Sequence, residues 1–369
     1  MTLLSVLHVG KFYPPHSGGM ETHLRDLAVR QSKAAEVKVI VANSAPRRES
    51  AILEGVRVTR VARFATIASM PVCPGLVSAI RSTPANIVHI HMPNPGAALA
   101  FLLSRHPGKL VLTHHADTLG RPGLRRLSDP FVRALMRRAS RILVTSNRYL
   151  DSSPELAPFR EKCRMIPLGI DVQSSICDDH EATTRIHQRF GVRLVLAIGR
   201  LVPYKGFDVL IQAMKNVDAK LLVIGTGPQE GALRGLITRE NLQQKVIMLG
   251  RVDDIRPYLA AASIFVLPSV TRAEAFGLVQ LEAMAAGVPV INTDIDSGVP
   301  EVCVNGETAI TVPPSDAAAL SEAMQLLLHR DDLRVQFGNA ARIKVHSDFT
   351  TDLMAARTMS LYQEVLATK

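Results

Sequence analysis

Short strand-like runs, most of them rich in Val, Ile and Leu, punctuate the 369-residue chain at 3–10, 37–42, 56–61, 87–91, 110–114 and 142–145, then again at 194–199, 221–225, 246–250, 264–267 and 288–292. Most are followed by a polar or glycine-containing loop and a stretch of helical length. A strand that is apolar on both faces must be covered on both, and intervening helices do this when successive strands run parallel. The chain is therefore expected to be α/β, with doubly wound parallel sheets whose ligands gather at the C-terminal ends of the strands. Its length suits two domains of ordinary size, each with its own core. No apolar run approaches the ~18 residues of a transmembrane helix. Residues 3–9 lack a basic flank and a small-residue cleavage site, so they read as a first strand and not a signal peptide. Cys73, Cys163, Cys177 and Cys303 are scattered without a Cys-x-x-Cys, as expected of reduced thiols in a cytosolic protein.

The most informative stretch, 268–290, runs from an apolar strand through a polar loop into an Ala/Leu/Met-rich helix stopped by Gly287 and Pro289. It holds two glutamates, Glu274 and Glu282. On one helix they would lie about 80° apart in rotation and about 12 Å apart along the axis, poor geometry for shared acid–base work. If Glu274 lies in the loop and the helix starts near Phe276-Gly277, the free N–H groups of Phe276, Gly277 and Leu278 form an anion site at the positive end of the helix dipole. Glu282, roughly 7 Å further along, then stands about one diphosphate-to-ribose span away. A carboxylate there can accept from both hydroxyls of a ribose diol. Either glutamate alone is more simply a solvated side chain or a helix former. The spacing, with Phe-Gly at the helix start, points instead to a nucleoside diphosphate carrying a group within reach of Glu274. The stretch also resembles the Glu-x7-Glu motif of the family 4 retaining glycosyltransferases. That resemblance extends over nearly the whole chain and implies the GT-B fold, two facing Rossmann-like domains with a cleft between them.

Other loops carry the comparison further. Gly199-Arg200-x4-Lys205-Gly206 follows a strand. A forked guanidinium and a mobile ammonium at a sheet's ligand edge can together offset charge growing on a leaving diphosphate. Alone they would be two surface cations, but the spacing matches the family pattern. Gly18-Gly19 before a helix lets backbone approach a phosphate closely, although the spacing is not that of a dinucleotide site. The surrounding loop is similar to the glycine-rich donor loop of the family. Thr113-His114-His115-Ala116-Asp117 resembles the family's Thr-x-His-x-Asp, which implies that His115 hydrogen-bonds the reacting sugar and makes His114 the variable position. The resemblance also implies that Arg251 and Val252 are base contacts, while Asp253 or Asp254 reads as the N-cap of a helix near Ile255. His89, His91 and His115 suggest a metal set, but no carboxylate or cysteine stands at ligand spacing. Asp294-x-Asp296 reads as polar cover, so neither a metal nor another cofactor is expected. Ala275 and Ser297-Gly298 depart from the glycines common in the family and bear on the sugar pocket and the acceptor contact.

The net charge of +10 is unevenly spread, with 24 Lys/Arg against 10 Asp/Glu in residues 1–170 and 19 against 23 in 171–369. The densest run is Arg121, Arg125, Arg126, Arg133, Arg137, Arg138 and Arg141, on a segment whose Leu124, Leu127, Phe131, Leu135 and Met136 form an apolar helical face. No recognition motif accompanies the charge and aromatics are few, so nucleic acid is disfavoured. An anionic membrane surface and a merely solvated basic face both fit. Ile166-Pro-Leu-Gly-Ile-Asp171 resembles the family's interdomain hinge. The expected division is an N-terminal acceptor-side domain 1–168, a nucleotide-sugar domain 169–346, and a helix in 347–369 returning to the first domain. The expected activity is a retaining, metal-independent hexosyltransferase, cytoplasmic and either free or peripheral on the membrane's inner face, moving mannose from GDP-mannose to a growing, lipid-linked surface glycan. The alternatives are a UDP-sugar donor, or a non-catalytic nucleotide-sugar-binding scaffold; a sugar epimerase of similar architecture fits the glutamate pair less well, and a two-lobed binding protein would usually carry an export signal.

Overall fold

The computed structural model describes residues 3–16, 18–67, 70–117 and 122–368. Of the basic stretch, Arg121 and the side chains of Leu124, Arg125 and Leu127 lie outside the described residues. The chain divides into two compact units, one of Met1–Gly169 with Thr351–Lys369, the other of Ile170–Thr350.

In the first unit, strands β1 (Ser5–Val9), β2 (Glu36–Ala42), β3 (Glu49–Leu53), β4 (Val56–Val61), β7 (Ile87–Met92), β8 (Lys109–His114), β9 (Arg141–Val144) and β10 (Cys163–Met165) form one sheet; β5 (Ala65–Ile67) and β6 (Met70–Val72) form a separate hairpin. The order is β10-β9-β8-β7-β1-β2-β4-β3. All neighbours are parallel except β3, which runs antiparallel to β4 at the edge. The sequence reading passed over β3 because three of its five residues are exposed, leaving no apolar run to see. β1 lies between β2 and β7, so chain direction across the sheet reverses there, and the loop leaving β1 opens at the switch point. Helix Gly19–Gln31 presents Leu24, Leu27 and Ala28 to a core that also takes Leu361, Tyr362 and Val365 from helix Thr351–Ala367. Arg30 ties the two helices from outside, with its Nε 3.2 Å from Asp352 Oδ1 and donating to Thr351 Oγ1 at 3.1 Å.

The second unit has a six-stranded, wholly parallel sheet of β11 (Leu194–Ile198), β12 (Lys220–Ile224), β13 (Val246–Gly250), β14 (Ile264–Leu267), β15 (Val290–Thr293) and β16 (Ala309–Val312), in the order β13-β12-β11-β14-β15-β16. Its switch point lies between β11 and β14. Helices Phe207–Ala213, Glu230–Arg239 and Ala317–His329 bury Phe207, Leu210, Leu233, Leu320, Met324 and Leu327 against Val195, Val223, Val266 and Ile291. Fully burying one such side chain contributes about 1.5–3 kcal/mol. The helix after β13 has Ile255 as its N-cap and begins at Arg256, which corrects the expected Asp253 or Asp254 cap. Asp254 still accepts from the Arg256 N–H at 2.9 Å, because its side chain folds back into an Asx turn just outside the helix. The four cysteines are free. Among the described residues no helix is long and apolar enough to cross a membrane.

Candidate active site

At the switch point of the second unit, the loops leaving β11 and β14 lie against each other. After β11 the chain makes a 3₁₀ turn, Pro203–Lys205, and enters helix Phe207–Ala213 through Gly206 at φ +67°. A Cβ at Gly206 would come 2.1 Å from Pro268 O, so only glycine permits the approach. The Val270 N–H donates to Tyr204 O at 2.8 Å and locks the loops together. This docking brings Lys205 Nζ to 2.5 Å from Glu274 Oε2, with both side chains only 11% exposed. Ser269 Oγ donates to the same oxygen at 3.2 Å. Burial raises the Tyr204 phenol, with Glu274 adding to the rise while Lys205 and Arg200 oppose it. Arg200, Tyr204, Lys205 and Glu274 therefore share one electrostatic neighbourhood. Arg200 is exposed, and among the described residues its guanidinium has no hydrogen-bond or ion-pair partner.

The helix bearing Glu282 spans Leu278–Ala285, so Phe276 and Gly277 precede it; Gly277, at φ +76° and ψ +60°, is the N-cap. The left-handed turn explains the later start, since Gly277 cannot itself belong to the helix. No side chain caps it, and among the described residues the N–H groups of Phe276, Gly277, Leu278 and Val279 meet no acceptor. Four orphan donors at the positive end of a dipole are an anion seat. Glu282 follows one turn inside, half-buried. The turn is held from beneath by residues the sequence reading missed. Gln280 Nε2 donates to Phe276 O at 3.0 Å and to Val299 O at 3.3 Å, and Asn292 Nδ2 donates to Gln280 Oε1 and Val299 O, each at 3.1 Å. Gln280 and Asn292 are fully buried. Their signal was amide side chains inside an otherwise apolar helix and strand, which must find partners there. Ala275 is buried and its carbonyl accepts from the Gly298 N–H at 2.8 Å, so both family departures sit on one turn. Arg251, exposed, and Val252, half-buried, follow β13 two strands away along the same sheet edge. Asp294 and Asp296 belong to none of the metal-capable clusters among the described residues.

In the first unit, Gly18 and Gly19 open helix Gly19–Gln31 at the end of the loop that leaves β1. A Cβ on Gly18 would come 2.4 Å from Glu21 Oε2. His115 directly follows β8, 7% exposed. Its Nε2 lies 3.2 Å from His91 Nδ1. Burial, with His114 adding to it, pushes His115 down to about 3, so it is neutral at pH 7 and offers a hydrogen bond rather than a proton charge. His114 is buried on the opposite face, Nε2 3.4 Å from Glu155 Oε2, while Asp117 Oδ1 accepts from Ser153 Oγ at 2.5 Å.

The chain matches two family models, Glycosyltransferase Family 4 over residues 17–174 and Glycosyl transferases group 1 over residues 182–344. It is 30% identical over 268 residues to the D-rhamnosyltransferase WbpZ of Pseudomonas aeruginosa, covering 72% of this chain and 70% of that one. It is 27% identical over 376 residues to the O-antigen chain mannosyltransferase C of Escherichia coli, covering 99% and 100%. Among solved structures it superimposes on sucrose-phosphate synthase from Thermosynechococcus elongatus with a TM-score of 0.80 at 21% identity, over 99% of this chain and 100% of that one. That likeness shows the fold, GT-B with two Rossmann-like parallel-sheet domains.

Proposed function

The chain belongs to the family 4, group 1 glycosyltransferases, and from that premise we propose that it transfers a hexose, with retention, from a nucleoside diphosphate sugar to a growing surface glycan. The observation that carries this reading is the joining of the buried Lys205–Glu274 pair to an open turn of four amides at one switch point. The amides and Arg200 hold the diphosphate, Glu282 accepts from the ribose hydroxyls, and Arg251 and Val252 border the base. Glu274 orients sugar hydroxyls, while Lys205, steered by Glu274, faces the bond that breaks. Gly18, Gly19 and His115 complete the donor contacts. The glycosidic C–O bond to the diphosphate breaks, the acceptor oxygen attacks from the same face, and the departing phosphate oxygen takes the acceptor proton. Cationic side chains and amides stabilise the charge as it develops, so no divalent ion bridges the diphosphate. GDP-mannose is the preferred donor, supported by the full-length likeness to an O-antigen mannosyltransferase, and a lipid-linked glycan is the acceptor.

The test is thermal stabilisation and slow hydrolysis across GDP- and UDP-sugars. GDP-mannose is expected to stabilise most, and added Mg²⁺ or Mn²⁺ to leave the rate unchanged. Glu282→Ala is expected to weaken GDP binding about 10–100-fold, the worth of a charge-assisted bidentate contact. Unaltered affinity in that variant removes Glu282 from the ribose.

The acceptor reading extends to the surface of helix Pro122–Arg138. Arg126, Arg133, Arg137 and Arg138 are exposed there, beside exposed Phe131, while Val132, Leu135 and Met136 are buried. The neighbouring helix Pro95–Ser104 exposes Leu99 and Leu103. Cations flanked by apolar side chains suit the cytoplasmic face of an anionic membrane. Binding to phosphatidylserine-containing vesicles is expected, falling steeply with salt and with charge reversal at Arg133 and Arg137. Equal binding to neutral vesicles excludes the electrostatic attachment.

A further inference from the structure

Five histidines are buried together in the first unit: His8 on β1, His89 and His91 on β7, His115 just beyond β8, and His23 on helix Gly19–Gln31. Parallel registry of the strands sets His8 beside His89, and His91 lies one pleat further along the same face. The His89 and His91 rings stack at 4.6 Å, and His23 meets His115 edge-on at 4.8 Å and His91 at 5.4 Å. Most of these rings are fully engaged. His89 contacts Tyr362 OH at 2.5 Å and Thr113 Oγ1 at 2.6 Å. His8 contacts His91 Nε2 at 3.1 Å and Gln31 Oε1 at 2.8 Å. His23 is different. It is 5% exposed, and among the described residues neither ring nitrogen has a hydrogen-bond partner. A buried imidazole with both nitrogens unanswered carries a desolvation penalty that calls for a ligand.

One nitrogen from each of His23, His91 and His115 lies within 4.8 Å of the other two. Ligands 2.0–2.1 Å from a tetrahedral ion stand about 3.3 Å apart, and His91 Nδ1 is already 3.2 Å from His115 Nε2. The His23 ring has to close by at most about 1.5 Å to reach that tetrahedral spacing. All three rings are neutral because burial lowers their basicity, so binding displaces no ring charge. The tautomers are consistent. With His91 Nδ1 on the ion, His91 Nε2–H donates to His8 Nδ1, and His8 Nε2–H donates to Gln31 Oε1, a hydrogen-bonded shell that orients the ligand. The set has no carboxylate, so it suits borderline first-row cations rather than Mg²⁺ or Ca²⁺. We propose that His23, His91 and His115 form a binding site for one divalent transition-metal ion of the Zn²⁺ class. Sequence alone offered His89 with His91 and His115 and disfavoured a metal there. The structure gives His89 to Tyr362 and Thr113 and supplies His23 in its place.

The site stands whether or not His115 meets a sugar, and its test does not read transfer. The full chain, stripped with chelator, is titrated with Co²⁺ and followed by visible d–d absorption, then back-titrated with Zn²⁺. One Co²⁺ per chain is expected, with the absorption of a low-coordinate nitrogen site that Zn²⁺ bleaches. His23→Ala is expected to weaken Co²⁺ at least tenfold while GDP still stabilises the variant, and His180→Ala, exposed in the other unit, is expected to bind as the parent does. Absence of stoichiometric Co²⁺ binding by the parent chain overturns the proposal. So does binding unchanged by both His23→Ala and His115→Ala.

Discussion

Replacing Lys205 by alanine is expected to lower single-turnover transfer by about 10²–10³-fold, the loss typical of removing one donor aimed at developing negative charge. The same change strands Glu274, whose side chain is 11% exposed and whose partner stood 2.5 Å away. Leaving half of a buried ion pair costs about 3–5 kcal/mol, so the denaturant midpoint is expected to fall as well. The two effects separate in the double variant Lys205→Met with Glu274→Leu. An apolar pair of similar volume is expected to recover most of the stability, since desolvation of the ions offsets much of their attraction, while turnover stays low. Turnover within threefold of the parent in Lys205→Ala excludes the ammonium from the reacting centre.

Gly206→Ala is expected to damage the same site from the backbone. The residue would adopt φ +67° at about 1–2 kcal/mol, and its Cβ would lie 2.1 Å from Pro268 O, a backbone atom that cannot rotate away. With overpacking of about 1–3 kcal/mol, the total loss is of order 2–5 kcal/mol. Parting the two loops also draws Lys205 away from Glu274, so turnover falls further than stability alone explains. Gly231→Ala is the control: nothing lies within 4 Å of a Cβ there, within helix Glu230–Arg239, and a gain of about 0.5–1 kcal/mol is expected. Equal midpoints for the two variants mean that the loops are not held by this contact.

Strands buried on both faces were legible because continuous apolar runs have few other uses: β14 falls at the residues its run marks, and β7 and β11 within one residue of theirs, while β4 showed itself by alternation, Val-Arg-Val-Thr-Arg-Val. β3 and the β5–β6 hairpin were not, since their side chains are largely exposed and carry no apolar period. Loop chemistry was legible as separate motifs but not as an assembly. Lys205 and Glu274 are 69 positions apart, and only the strand order that makes β11 and β14 neighbours brings them into contact. The histidine cluster has the same origin, with one further clue available. His23 stands four residues before Leu27 and so occupies the apolar stripe of its helix, where a polar ring must be answered from the core.

The helix Thr351–Ala367 has a consequence for how the molecule is made. Tyr362, fully buried, touches His89 across 273 positions of sequence. The leading half of the polypeptide therefore leaves the ribosome with the seat for Leu361, Tyr362 and Val365 bare, and contacts of such wide separation form late. The segment Ile170–Thr350, uninterrupted in sequence, can complete its core without waiting for that helix, so its core is expected to close before that of the opening strands, whose apolar seat stays uncovered until the last helix is made.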